Sequence, residues 1–366
     1  MSKNTARYDA AMRTRNAEGD CIDWYDIDHP QFRLSGLAYY SRGGVMRRLP
    51  DDPKLPEAVR FLSHHTAGVR LDFKTTSKQI RLRVKLSHSS HMDHMAQTGS
   101  CGFDLYSGAP GKNFLVGTAR FPFDADAYET TLLPNGFQTE KMRDFTLNFP
   151  LYSGVEKIEI GFDEKSEIAA PEPWRDSRKM VFYGTSITQG GCASRPGMVY
   201  SSLLGRALNR QVLNFGFSGN GKGEKIVAEY LADIEDVGVF VLDYEPNAKP
   251  DGIRATLNEF IDTLRQKHPD TPIIVMSSLR FNQELVFTED TEVQQKDLAE
   301  SAKFQRREVE RRRRAGDGKI FFVNGASLCG KNWHEFSVDG CHQTDLGFYV
   351  ISERLLPKLK KILAIS

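Results

Sequence analysis

The amino-acid sequence predicts an all-β sandwich, jelly-roll-like, over residues 1–175. It is followed over 176–366 by a three-layer α/β domain on a parallel five-stranded sheet. Three observations predict this. The first half alternates polar and apolar residues in short runs divided by turn residues. The second half sets short, almost wholly apolar strands between helical patterns. Pro171-Glu172-Pro173 separates the two rhythms. A period of two gives a strand one buried and one wet face, whereas a continuously apolar strand belongs to a parallel sheet covered on both sides.

In the first half, residues 69–74, 79–86 and 157–162 alternate, and shorter strand-like runs surround Phe103, Leu105 and 114–116. Turn signals stand at 107–113 and at Pro134-Asn135-Gly136. No helical period of useful length lies between about residues 60 and 170. Many short strands with turns between them imply a sandwich or jelly roll. In the second half the expected strands are 180–183, 212–215, 237–242, 273–276 and 320–323. The expected helices are 198–208, 224–234, 254–267, 294–315 and 346–363. Such a sheet holds its ligand outside the carboxyl ends of its strands, so the chemistry belongs there.

Composition excludes several classes. Lys and Arg number 49 against 48 Asp and Glu in 366 residues, a balance that argues against a nucleic-acid partner. No apolar run of about 18 residues exists, so no membrane span is expected. Residues 1–20 are polar and lack the apolar core of a secretory signal, so the chain reads as cytoplasmic. Five scattered cysteines without a Cys-x-x-Cys pair make neither a disulfide framework nor a structural zinc site. The basic run 306–314 has acids mixed in and reads as a solvated helix face.

Four segments at the expected strand ends carry polar chemistry. Tyr183-Gly184-Thr185-Ser186-Ile187-Thr188-Gln189-Gly190-Gly191 puts a serine at a strand-to-loop turn beside glycines, where its hydroxyl and backbone N–H are exposed. Plain tight turns share that pattern. Asn214-Phe215-Gly216-Phe217-Ser218-Gly219-Asn220-Gly221-Lys222-Gly223 lets backbone approach a ligand. It departs from the known phosphate-cradle fingerprints, and a flexible loop is the ordinary alternative. Asp243-Tyr244-Glu245-Pro246-Asn247 offers an amide donor or merely a helix cap. Asp339-Gly340-Cys341-His342 sets a carboxylate three residues before an imidazole, able to hold Nδ1–H and leave Nε2 as base; a surface histidine is the alternative. Together they supply nucleophile, base, orienting acid and oxyanion donors.

These blocks resemble the SGNH (GDSL-like) hydrolases, esterases and lipases on a flavodoxin-like sheet. The chain is also similar to the bacterial subgroup with an N-terminal β-sandwich, in which the run Gly190 to Gly197 is familiar. The resemblance implies Ser186 as nucleophile, His342 as base and Asp339 as its orienting acid. It implies an oxyanion hole from the Ser186 and Gly219 N–H groups and the Asn247 side chain. Ester hydrolysis would run through an acyl-enzyme, with no metal or other cofactor. Two departures stand out: Thr185 replaces the usual Asp of Gly-Asp-Ser, and Glu245-Pro246-Asn247-Ala248 replaces Gly-x-Asn-Asp.

Substrate clues are fewer. Arg195 is either a clamp for a carboxylate or sugar hydroxyl, or a loop anchor. Cys192 and Cys341 each flank a catalytic candidate, as buried thiols or as a redox pair. His88, His91 and His94, with Asp93 among them, form a polar loop, a metal site, or a loop that reaches over the Ser186 cleft to bind substrate. Trp24, Tyr25, Tyr39 and Tyr40 are packing residues or a sugar platform. The expected partner is a small-molecule ester, such as an acylated sugar, on a chain free to oligomerise. The alternatives are a carbohydrate-binding protein with an inactive SGNH half, a lipase or thioesterase of the same fold, and a metallo-hydrolase using the three histidines.

Overall fold

A computed structural model describes residues 21–133, 136–286 and 288–365. The polar start 1–20 and the turn residues Pro134 and Asn135 lie outside the described residues.

The first domain holds β1 (Ile22–Asp26), β2 (Arg33–Ser35), β3 (Arg70–Thr75), β4 (Ile80–Leu86), β5 (Asp104–Ser107), β6 (Phe114–Thr118), β7 (Ala127–Thr131), β8 (Arg143–Asn148), β9 (Val155–Asp163) and β10 (Ile168–Ala169). Two short helices, α1 (Glu57–Leu62) and α2 (Gln97–Ser100), interrupt them, and Val59 and Leu62 of α1 pack in the core of the parallel sheet rather than that of the sandwich. Every strand pairing is antiparallel. One sheet runs β1-β9-β4-β7, the other β10-β3-β8-β5-β6 with β2 added on β3. The alternation of β4 explains the packing. Ile80, Leu82, Val84 and Leu86 are buried, with Leu82 opposite Ile160 and Val84 opposite Ile158. They meet the other sheet in one core, where the Phe73 ring lies 5.4 Å from that of Phe162.

The second domain holds β11 (Lys179–Gly184), β12 (Val212–Gly216), β13 (Val237–Asp243), β14 (Ile273–Met276) and β15 (Ile320–Val323). Its helices are α3 (Ser186–Gln189), α4 (Tyr200–Leu208), α5 (Lys225–Ala232), α6 (Glu245–Lys267), α7 (Glu289–Arg314) and α8 (Asp345–Ile362). The strands are all parallel in the order β12-β11-β13-β14-β15. Both sheet faces are apolar, and alternation sorts residues between two cores. Val181 and Tyr183 join the layer of α5 and α6, while Met180 and Phe182 join the layer of α4 and α8. The strand order reverses at β11, so the crevice lies at its carboxyl end, where Ser186 follows.

Two helices begin well before their expected starts, α7 at Glu289 rather than 294 and α6 further still. The helix expected from residue 254 begins at Glu245, broken at Lys249 with φ 61° and ψ 167°. Pro250 contributes: it lacks an N–H and disfavours the helical region for the residue before it, in keeping with the extended ψ of Lys249. Among the described residues, no helix is long and apolar enough to cross a membrane.

Candidate active site

The first loop is built by close approach and capping. A Cβ on Gly184 would stand 2.1 Å from Thr188 Oγ1 and 2.4 Å from Asp243 O, so only glycine fits where β11 ends against β13. Thr185 then caps α3. Its hydroxyl accepts from Ile187 N at 3.2 Å, and its own N–H donates to Thr188 Oγ1 at 3.3 Å. Thr and Asp both cap helices, which gives Thr185 a physical role where the resembling family carries Asp. Ser186, only 8% exposed, sits at the first helical position, with Oγ 2.9 Å from His342 Nε2.

The imidazole is held by its own turn. Asp339 Oδ1 accepts the N–H groups of Cys341 at 2.9 Å and His342 at 2.7 Å; Oδ2 lies 2.6 Å from His342 Nδ1. Burial pushes this carboxyl up, but the His342 ring and the two backbone donors prevail and hold it down at about 2. An ionised carboxylate only accepts, so Nδ1 carries the hydrogen and Nε2 turns its lone pair to the Ser186 hydroxyl.

The second loop brings the oxyanion candidates near. Asn214 Nδ2 donates to Thr188 O at 2.6 Å, tying β12 to the serine turn. Gly219 has φ +66°, and a side chain there would enter open space. Among the described residues, neither the Ser186 nor the Gly219 amide N–H has a protein acceptor. Asn247 departs from expectation: its Nδ2 donates to Phe217 O at 3.1 Å and to Asn220 O. An amide nitrogen has two hydrogens, and both are engaged with the glycine loop, so Asn247 clamps that loop rather than offering an unoccupied donor.

Beneath the serine turn, Asp243 is buried and accepts from Thr188 Oγ1 at 3.0 Å and Tyr200 OH at 2.9 Å. Burial pushes its carboxyl up to about 7 against those two donors.

The sandwich supplies contacts that local sequence does not announce. Buried Gln189 donates to Leu151 O at 2.9 Å and accepts from Ser218 N at 3.0 Å, and its Nε2 lies 3.0 Å from His65 Nδ1. Arg48, 1% exposed, donates to Asn214 O, Gly216 O and Leu62 O at 2.7–2.9 Å. Tyr152 OH reaches Ser186 O at 3.5 Å. Thr98 Oγ1 donates to Ser194 O at 2.6 Å.

The substrate candidates separate. Arg195 donates to Asp104 Oδ2 at 3.3 Å and to Tyr106 OH, and Asp104 also takes Gly197 N–H at 2.7 Å. This is the anchoring alternative, since the guanidinium is already engaged by the sandwich. His94 reaches the site: its ring centroid is 5.6 Å from that of His342, and its Nε2 is 3.9 Å from Asp339 Oδ2. His91 does not join it, because it pairs with Asp124 at 2.9 Å and packs on Phe123. His88 packs on His65 and Phe61. The metal reading of these three histidines therefore fails. The segment is an irregular turn, so equal spacing does not make them converge. Tyr39 and Tyr40 bond Tyr230 O and Asp28, Tyr25 packs on Phe162, and Arg83 covers Trp24, so all four aromatics serve packing.

Cys192 and Cys341 are both free thiols. Burial, then the neighbouring Asp339 charge, pushes Cys192 up to about 12 and Cys341 up to about 11, which makes them poor nucleophiles.

The profile of the GDSL-like lipase/acylhydrolase family matches residues 177–360. The GxDLY profile, the N-terminus of the SGNH-hydrolase esterase type, matches residues 22–168. Gly102-Phe103-Asp104-Leu105-Tyr106 spells that second motif, and its Asp and Tyr are the residues that grip Arg195. A crystal structure named as a GDSL-like lipase, from Bacteroides ovatus, is 32% identical over 94% of this chain and 99% of that chain, with TM-score 0.84. A salicylyl-acyltransferase from a tetracycline biosynthetic pathway is 18% identical over 94% of this chain and 98% of its own, with TM-score 0.72. A family two carbohydrate esterase from Clostridium thermocellum, solved with cellohexaose, is 16% identical over 82% of this chain and 94% of its own, with TM-score 0.56. The last two share the fold. No curated protein matches the chain.

Proposed function

The chain belongs to the GDSL-like lipase/acylhydrolase family and is a serine ester hydrolase; from that premise we propose that it removes a small acyl group, acetyl in the first place, from a carbohydrate or related alcohol through an acyl-enzyme on Ser186. One observation carries the reading: the unbroken chain of contacts from Ser186 Oγ through His342 to Asp339, at 2.9 and 2.6 Å.

The chemistry follows from that chain. As Ser186 Oγ bonds to the ester carbon, its proton passes to His342 Nε2. The carbonyl oxygen becomes an anion held by the Ser186 and Gly219 N–H groups. Asn247 joins them by exchanging its bond to Asn220 O for the substrate oxygen. Each such donor is worth about 3 kcal/mol in the transition state. Collapse of the intermediate breaks the carbon–oxygen bond to the alcohol, which leaves with the proton from Nε2. Water then attacks the acyl-enzyme, giving its proton to Nε2, and Ser186 Oγ recovers it as the acid departs. Asp339 remains a carboxylate throughout and fixes the Nδ1–H tautomer.

A small acyl group suits the confined serine, which is almost buried beside Tyr152 and Gly191. A hydroxyl-rich alcohol suits a rim that includes His94, Asp93 and Asp339. It also suits the two-domain plan shared with carbohydrate esterases, among them an acetyl xylan esterase from Butyrivibrio proteoclasticus. The test is a panel of acetylated sugars and p-nitrophenyl esters of increasing acyl length, with Ser186→Ala as control. Acetyl esters should turn over fastest, and the variant should lose hydrolysis. Unchanged turnover in Ser186→Ala would overturn the mechanism, and a preference for long acyl chains would overturn the substrate class.

A further inference from the structure

His94, Cys192 and His342 come from three separate segments: the loop between β4 and α2, the turn after α3, and the turn before α8. One ligand atom from each lies within 4.8 Å of the other two. Two imidazole nitrogens and a sulfur are a donor set that zinc and its borderline-soft neighbours favour. Metal–ligand bonds of about 2.0–2.3 Å would draw the three atoms somewhat closer together than this, and two of the segments are loops.

The surroundings of both imidazoles point the same way. A metal-binding histidine ordinarily gives its second ring nitrogen to a carboxylate, which fixes the tautomer. His342 Nδ1 faces Asp339 Oδ2 at 2.6 Å, and His94 Nδ1 faces Asp93 Oδ1 at 3.1 Å. Each ring therefore keeps Nε2 for a ligand. Cys192 is held at φ +70°, a sparsely populated conformation for a residue with a Cβ, in the turn that carries its sulfur to these rings.

We propose that His94, Cys192 and His342 form a site for a borderline-soft divalent cation such as Zn2+, and that its occupation switches the hydrolase off. Binding forms one metal–sulfur and two metal–nitrogen bonds, and the thiol proton leaves to solvent with no change of oxidation state. The Nε2 lone pair of His342 that accepts the Ser186 hydroxyl is the one the metal takes, so base function and metal binding exclude each other. The inhibition rests on His342 being the base; the binding does not. The site shares only His94 with the reading that grouped His88, His91 and His94, and hydrolysis itself needs no metal.

The test uses Co2+ as a spectroscopic probe on the chelator-stripped full chain. The expected result is a thiolate-to-cobalt charge-transfer band saturating at one equivalent, absent in Cys192→Ser and kept in Cys341→Ser. His94→Gln should weaken Co2+ binding about tenfold or more. In parallel, Zn2+ should inhibit hydrolysis of p-nitrophenyl acetate reversibly with EDTA, and His94→Gln should raise the half-inhibitory concentration by a similar factor. No thiolate band, or a band kept in Cys192→Ser, overturns the site. A band without inhibition overturns the switch while leaving the site. Hydrolysis unaffected by Ser186→Ala overturns the ester-hydrolase mechanism while the band still reports binding.

Discussion

Asp339 stands 2.6 Å from His342 Nδ1 through one oxygen and holds the N–H groups of Cys341 and His342 through the other. One carboxylate thus folds the turn and sets the tautomer of the ring it carries. Asp339→Asn disturbs both, and kcat should fall by about 10²–10⁴-fold with KM little changed. Steady-state kinetics on an acetyl ester checks this. The pH dependence of stability has a definite sign. A carboxyl lowered to about 2 in the folded state stabilises the fold above its ordinary value, and loses that contribution as pH falls through 2. Chemical denaturation should therefore show the gap between wild type and Asp339→Asn widest above pH 4 and closing in stronger acid.

Asn247 donates to Phe217 O and Asn220 O, so its amide shapes the glycine loop and reaches an oxyanion only by giving up one of those two bonds. Asn247→Ala should lower kcat about 10²–10³-fold. A loss below about threefold would remove Asn247 from the oxyanion hole.

Arg195 tests the division between anchor and clamp. Its partner Asp104 is fully buried, and burial pushes that carboxyl up against the pull of Arg195 and Asn148. Arg195→Ala leaves this carboxylate with the Asn148 and Gly197 hydrogen bonds and the charge of Arg206, and should destabilise the protein by about 3 kcal/mol. KM should stay within about threefold. A tenfold rise in KM with unchanged Tm would return Arg195 to the substrate.

Asp243 has the opposite sign to Asp339. Its carboxyl is pushed from 3.8 up to about 7 by burial. Between those values the unfolded chain has released the proton and the folded chain still holds it, so folding stability falls as pH rises from about 4 to 7. Asp243→Asn lacks this fall. Denaturation midpoints at pH 5 and pH 8 should move in the variant's favour at the higher pH. Parallel behaviour of the two proteins would contradict the buried, proton-holding carboxyl.

Much of this arrangement was legible in the sequence because local chemistry dictates it. The five apolar strands needed only burial on two faces. The Ser186 turn and the Asp339–His342 turn each close within three residues, so spacing offered them as candidates and the resemblance to the SGNH hydrolases supplied their roles. What spacing misses is contact between distant segments. Arg48, His65 and Tyr152 carry no motif, yet together with Gln189 of the serine block they bind the sandwich to both loops of the site. His88, His91 and His94 show the opposite failure: regular spacing has geometric meaning only on a regular element, and here the backbone turns three ways. Arg195 was ambiguous because its partners lie about ninety residues earlier, at Asp104 and Tyr106.

The most direct test of the central claim is peptide mapping by mass spectrometry after reaction with a fluorophosphonate, which labels only an activated serine. The account predicts a single adduct on Ser186, formed in wild type and lost in His342→Ala, with hydrolysis falling in step with labelling. An unlabelled Ser186 in a protein that still hydrolyses esters, or an adduct elsewhere that abolishes activity, would contradict it.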